Sequence, residues 1–213
     1  SKIRERQALA DLLGYVAGQT GQLLNVTAAA EKIGVSRPTA EAHVRLLEDL
    51  FLIVRLPAWG KTLRSRVNAK PKVHVVDSGL AARLLRLTPD RLTGIDPTSL
   101  TDFGYLLETF VVGELRKQAS WLDEPVALGH WRTSDGAEVD LVVEYDDGRV
   151  VAFEVKASER APGKDFRGLA QLRDLLGARF IGGIVLTTGS RSYTYEERLH
   201  VMPVDRLWTP VPS

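Results

Sequence analysis

Apolar residues recur at helical spacing from the first turn of the chain onward. Leu9, Leu12, Leu13 and Val16 mark a helix within Arg4 to Ala17, which Gly18 ends. A two-helix signature follows. Thr27 is positioned to cap a helix through Ile33, Gly34 allows the tight turn, and Ser36 caps a second helix with Pro38 in its first turn. In that second helix Ala40, Val44 and Leu47 face inward, leaving Arg37, Thr39, Glu41, His43, Arg45 and Glu48 outward. Phe51 to Leu56 and Lys72 to Val76 are strand-like. Three helices followed by a two-stranded ribbon predict a winged helix-turn-helix, which with a connecting helix ending at Leu87 occupies residues 1–87. Asp77 or Ser78 caps that connecting helix; a catalytic role is the other reading of Asp77. Residues 88–101, with Pro89, Gly94 and Pro97, lack a pattern and read as a linker.

From Asp102 the order becomes helix, strand, strand, strand, helix, strand, so the chain as a whole is of the α/β class, its second domain spanning 102–213. The helix covers Gly104 to Lys117 and the first strand Ala127 to Arg132; Asp165 to Leu176 and Ile181 to Leu186 close the series. Between them, two β-rich runs, Glu138 to Tyr145 and Arg149 to Lys156, flank Asp146-Asp147-Gly148. A three-residue loop with Gly148 in the left-handed position makes this a hairpin and sets its register. If Tyr145 faces Arg149, then Val142 faces Ala152, Asp140 faces Glu154 and Glu138 faces Lys156. Facing residues have Cβ atoms about 5 Å apart, where like charges destabilise, so the Asp140–Glu154 pair asks for a cation. Mg²⁺ or Mn²⁺ meets that demand while retaining waters, and Lys156 stands on the same face. Ordinary solvated positions on a hairpin are the alternative, which the apolar character of both strands opposes.

Composition narrows the class. The chain has 213 residues, 44% apolar and 26% charged, with no cysteine, which excludes disulfides and thiolate metal sites. No run approaches a membrane span and the charged start is unlike a signal peptide, so a cytoplasmic protein without a membrane partner is expected. The net charge of +1 hides an asymmetry: 12 Lys/Arg against 6 Asp/Glu up to residue 76, and 16 against 21 beyond it, hence +6 and −5. DNA is therefore the expected partner of the first part. Arg37, Thr39 and Arg45 on the second helix of the pair are candidate phosphate or base contacts, although Glu41, Glu48 and Asp49 repel phosphates there. A protein–protein or interdomain module on the same scaffold is the competing reading. The link from Lys61 to Lys72 carries Lys61, Arg64, Arg66, Lys70 and Lys72 and no acid, and reads as a nucleic-acid-tracking wing or a solvated loop. Gly60-Lys61-Thr62 ends like a phosphate-binding loop, but Arg55 replaces the first glycine and no helix follows, so no ATP site is expected.

Asp140 with Glu154-x-Lys156 resembles the PD-(D/E)xK nuclease core, with Val139 where the name carries proline. The resemblance implies a restriction-endonuclease-like αβββαβ core in which Asp140 and Glu154 hold Mg²⁺ and Lys156 orients the attacking water. It also implies an acid from the first helix, for which Glu108 fits better than Glu114. Arg132 either grips a phosphate or neutralises Glu138 or Asp140, and Gln171 either contacts substrate or is a surface residue. A wider resemblance rests on Leu-Pro-Ala-Trp at 56–59, Lys-Val-His-Val-Val-Asp-Ser-Gly-Leu-Ala-Ala at 72–82, Gly-Tyr-Leu-Leu-Glu-Thr-Phe-Val at 104–111, His-Trp-Arg-Thr at 130–133, Gly-Ala-Glu-Val-Asp-Leu-Val at 136–142 and Glu-Val-Lys-Ala-Ser at 154–158. Together these are similar to the C-terminal region of a prokaryotic family of predicted ATP-binding proteins. That implies an AAA-type ATPase module as a partner in cis or trans, with a homo-oligomer as a further expectation.

Overall fold

The computed structural model describes residues 2–60, 70–93 and 96–209. The chain forms two compact units, one of Ser1–Leu56 with Lys70–Thr109 and one of Pro57–Ala69 with Phe110–Ser213. The expected wing cations Lys61, Arg64 and Arg66 lie outside the described residues.

In the first unit α1 (Lys2–Ala17) ends where the Gly18 N–H donates to the Gly14 carbonyl. Helix α2 (Val26–Ile33) begins one residue before Thr27, because the Asn25 side chain takes the cap and accepts the Ala28 N–H at 3.1 Å. Gly34 follows in the left-handed conformation at φ 71°. Helix α3 (Arg37–Asp49) is capped by Ser36, whose hydroxyl accepts the Thr39 N–H at 3.2 Å, and it buries Ala40, Val44 and Leu47 as its periodicity requires. Val44 and Leu47 join Leu12, Val16, Ile53, Val73 and Val75 in one core, where each large side chain contributes about 1.5–3 kcal/mol. The ribbon of β2 (Ile53–Leu56) and β3 (Lys72–Val75) is antiparallel, and β1 (Gln22–Leu23) adds on the far side of β3. Two residues are too few to leave a period, which is why β1 escapes the sequence. Phe51 does not open β2 as expected; it sits at φ 55° in the turn. After β3, Asp77 caps α4 (Ser78–Leu84) by accepting the Leu80 N–H at 3.0 Å. The stretch expected as linker holds the four-residue α5 (Pro89–Leu92) and the start of α6 (Pro97–Ala119), seven residues earlier than its apolar pattern begins. Asp96 makes that early start possible by accepting the Thr98 and Ser99 N–H groups.

The second unit is built on a six-stranded mixed sheet of order β4-β5-β6-β7-β9-β8. Strands β4 (Val126–Arg132), β5 (Glu138–Tyr145) and β6 (Val150–Lys156) are antiparallel. β7 (Phe180–Thr187) is parallel to β6, so a crossover is required, and α7 (Arg167–Leu176) supplies it. β8 (Tyr193–Glu196) and β9 (Leu199–Pro203) extend the sheet beyond the expected series. Helix α7 lies against β5: a Cβ on Gly168 would sit 1.9 Å from the Glu138 carbonyl oxygen. The edge of β4 is covered by Pro57–Trp59, with the His130 N–H donating to the Pro57 carbonyl at 2.9 Å and the Trp59 N–H to the His130 carbonyl at 2.6 Å. A Cβ on Gly129 would meet the Pro57 oxygen at 2.9 Å, so the Leu-Pro-Ala-Trp stretch requires glycine opposite it. Among the described residues no helix is long and apolar enough to cross a membrane.

Candidate functional site

The hairpin that carries the candidate chemistry has the expected register. Val142 faces Ala152, the Tyr145 N–H donates to the Arg149 carbonyl at 2.9 Å, and Gly148 adopts φ 84°. The paired ladder runs from Glu144–Val150 to Leu141–Phe153 and ends there, one step before Asp140 and Glu154. At that step the Asp140 carboxylate replaces a ladder bond: its Oδ2 accepts the Val155 N–H at 2.9 Å. Asp140 and Glu154 are 5% and 7% exposed, so two carboxylates from neighbouring strands are buried in one region of the sheet.

Lys156, half-buried, donates through Nζ to Glu154 Oε1 at 2.6 Å. Burial pushes its ammonium down, but the touching Glu154 carboxylate outweighs this, with Asp140 and Asp165 adding to it, so its pKa lies above the ordinary lysine value. Asp165 was not a sequence candidate for the site. It sits on the 3-10 turn Gly163–Phe166 that leads into α7, and its first-turn position before an apolar helical run is the signal that marks it. Arg132 pairs in register with Glu138, its Nη1 lying 3.9 Å from Glu138 Oε2, which is the neutralising arrangement. A hydrogen bond from Thr133 holds the Asp135 carboxyl below its usual range, with smaller contributions from Gln171 and Arg167.

Glu108 requires a correction. The sequence places it with the metal; in the structure it belongs to the first unit and its Oε1 accepts Lys72 Nζ at 2.8 Å. Both side chains are buried, 10% and 3% exposed, which a charge tolerates only when paired. Lys72 is thereby removed from the exposed cationic link to which its sequence neighbours assign it. Around the pair, Thr20 and Thr109 hydroxyls lie 2.8 Å apart, His74 Nδ1 is 3.2 Å from Thr109 Oγ1, and the Val75 N–H donates to Thr20 Oγ1. Among the described residues no group of three or more His, Cys, Asp or Glu is arranged to hold a metal ion.

The candidate DNA contacts of α3 divide. Arg37 spends its Nε on Glu41 at 3.0 Å, and Thr39 is held at the cap with its hydroxyl 2.8 Å from that of Ser36. Arg45 is exposed and its guanidinium makes no hydrogen bond or ion pair among the described residues. Lys70 is exposed.

Residues 103–207 match the family described as Domain of unknown function (DUF4143), and residues 1–91 match Domain of unknown function (DUF8612). The chain is 28% identical over 189 residues to an uncharacterized protein of Mycobacterium tuberculosis and, to the same extent, to one of Mycobacterium bovis. Each match covers 89% of this chain and 40% of the relative, so the chain spans less than half the length of these curated relatives. No solved structure matches it. Two family models thus match the chain in succession, one over residues 1–91 and the other over residues 103–207.

Proposed function

We infer that the second unit is a metal-dependent phosphodiesterase-like domain acting on DNA, joined to a DNA-binding winged-helix unit. One observation carries this reading: Asp140 and Glu154, buried on adjacent strands, stand beside a charged lysine. Two hard oxygen donors suit Mg²⁺ or Mn²⁺ held with several waters rather than in a full protein cage. When bound, such an ion supplies Lewis acidity and a more acidic water. Asp140 is oriented for that task by the Val155 N–H, and Glu154 by the Lys156 ammonium. Lys156, its pKa raised, stays protonated at neutral pH and is unsuited to act as a base; its role is to orient water and offset charge on the phosphate oxygens in the transition state.

The test is incubation of the protein with linear, nicked and branched DNA in Mg²⁺ or Mn²⁺. Cleavage should fall roughly 10²-fold or more in Asp140→Asn, the scale seen when one stabilising group is removed from a transition state. No cutting by wild type, or equal cutting by the variant, ends the catalytic reading.

A second reading is favoured by the Lys156–Glu154 and Lys72–Glu108 pairs, which neutralise two of the candidate acids internally. In it the nuclease-like unit is a scaffold that binds DNA or regulates an AAA-type ATPase, the partner that the sequence resemblance implies. DNA binding that persists in EDTA and in Asp140→Asn, with no cleavage, distinguishes it.

A further inference from the structure

Two loops that the chemistry above leaves unused leave the same end of the sheet. One follows β6 and one follows β7, and Lys156 and Thr187, the last residues of those parallel strands, are register partners. The Thr188 N–H donates to the Ser158 carbonyl at 3.1 Å, and a Cβ on Gly189 would come within 2.2 Å of the Glu159 carbonyl oxygen, so the two backbones touch. Beside that contact lies a cleft of about 1020 Å³, lined among others by Glu159, Arg160, Thr188, Ser190, Arg191 and Tyr193. In open α/β sheets ligands bind outside the carboxyl ends of the strands, which is where this cleft lies.

Its charge is informative. Elsewhere in this unit Arg149, Arg167, Arg173 and Arg179 each meet a carboxylate. Arg160 and Arg191 are exposed, and their guanidinium groups make no hydrogen bond or ion pair among the described residues. Two unengaged guanidinium groups, with hydroxyls from Thr188, Ser190 and Ser192 against the single carboxylate of Glu159, make a set of donors for phosphate oxygens. Tyr193, 44% exposed on the edge strand, offers a ring face of the kind on which a base stacks. Next to the cleft the Thr187 hydroxyl, 1% exposed and without a hydrogen-bond partner, lies on the same face of the sheet as Lys156.

We propose that this cleft holds the backbone of a single nucleic-acid strand, with Arg160 and Arg191 on its phosphates and Tyr193 under a base, and leads it to Lys156. What happens to the strand at Lys156 rests on the phosphodiesterase reading; the binding does not. The test is fluorescence anisotropy of a labelled oligothymidylate of about 15 nucleotides, near the upper site size for such grooves, in EDTA across a salt series. Arg160→Ala/Arg191→Ala should weaken binding at least tenfold. It should also lower the slope of log K against log salt by roughly 1.4, two contacts at about 0.7 each. Tyr193→Ala should weaken binding roughly tenfold, and Arg160→Lys/Arg191→Lys should keep the wild-type slope. Both arginines are exposed and unengaged, so the variants should fold as wild type. Wild type that fails to bind the strand, or an Ala double variant with unchanged affinity and slope, overturns the proposal. Arginine-dependent binding without any DNA cleavage would leave the cleft standing and remove the catalytic reading. Cleavage with an unchanged KM in the Ala double variant would do the reverse.

Discussion

At the scale of the residue, the Lys72–Glu108 pair carries the clearest prediction. Its ends are 3% and 10% exposed, so breaking it takes the ion-pair partner away from a buried charge. Lys72→Met should destabilise the fold by about 3–5 kcal/mol, read by urea denaturation at neutral pH, whereas Lys72→Met/Glu108→Leu should recover most of that loss. A single variant as stable as wild type would mean that the pair is solvated in solution. This pairing was illegible in the sequence because the partners are 36 residues apart and Lys72 sits in a run of cations that reads as one surface. A second residue-scale prediction concerns Lys156, whose pKa is raised in the fold, where Glu154 and its neighbours outweigh burial. A raised pKa means that the stabilisation is fully present below the unfolded value of about 10.5 and is lost as pH rises through the folded one. The stability difference between wild type and Lys156→Met should therefore shrink above about pH 10.5 and stay flat from pH 7 to 9. A difference that grew with alkaline pH would contradict the ion pair.

At the scale of the element, the hairpin was almost wholly legible, since alternation, a three-residue turn and Gly148 fix pairing through neighbours alone. Its last step was not. The sequence predicts that Asp140 and Glu154 face each other in a continued ladder, but Asp140 bonds to the Val155 N–H instead, a substitution that periodicity does not encode. The same limit explains why the Glu159–Pro162 and Thr188–Ser192 loops carried no signal: they meet only because α7 returns the chain parallel to β6. That return depends on Gly168, whose missing Cβ lets α7 reach the Glu138 carbonyl. Gly168→Ala should cost about 1–3 kcal/mol through overpacking, despite the better helix propensity of alanine. Because Glu138 and Asp140 share β5, the same variant should reduce any Asp140-dependent cleavage more than it reduces binding of single-stranded DNA in EDTA. Equal stability of Gly168→Ala and wild type would show that helix and strand separate at little cost.

At the scale of the whole molecule, the split of +6 and −5 about residue 76 first suggests that only the beginning of the chain meets polyanions. The structure redistributes that charge. Arg37 is held by Glu41, Arg55 by both oxygens of Glu48, and Lys72 is buried on Glu108, so three of the twelve cations are spent internally. In the other unit Arg160 and Arg191, from the net acidic part of the sequence, remain unengaged along one cleft. Net charge by segment therefore does not locate the unengaged cations, because it counts cations irrespective of their partners. The consequence is measurable on duplex DNA. Arg45, exposed and unengaged on α3, is the one of the three helix candidates still available for a phosphate, so Arg45→Glu should weaken duplex binding and lower its salt slope by about 0.9 or more. Arg37→Ala should change neither by much, since it removes a cation already neutralised by Glu41. Single-strand affinity should respond in the opposite way, untouched by Arg45→Glu and reduced by the Arg160/Arg191 variant. Duplex binding insensitive to Arg45→Glu would instead assign the first unit to protein contacts, the reading that its acidic Glu41, Glu48 and Asp49 favour.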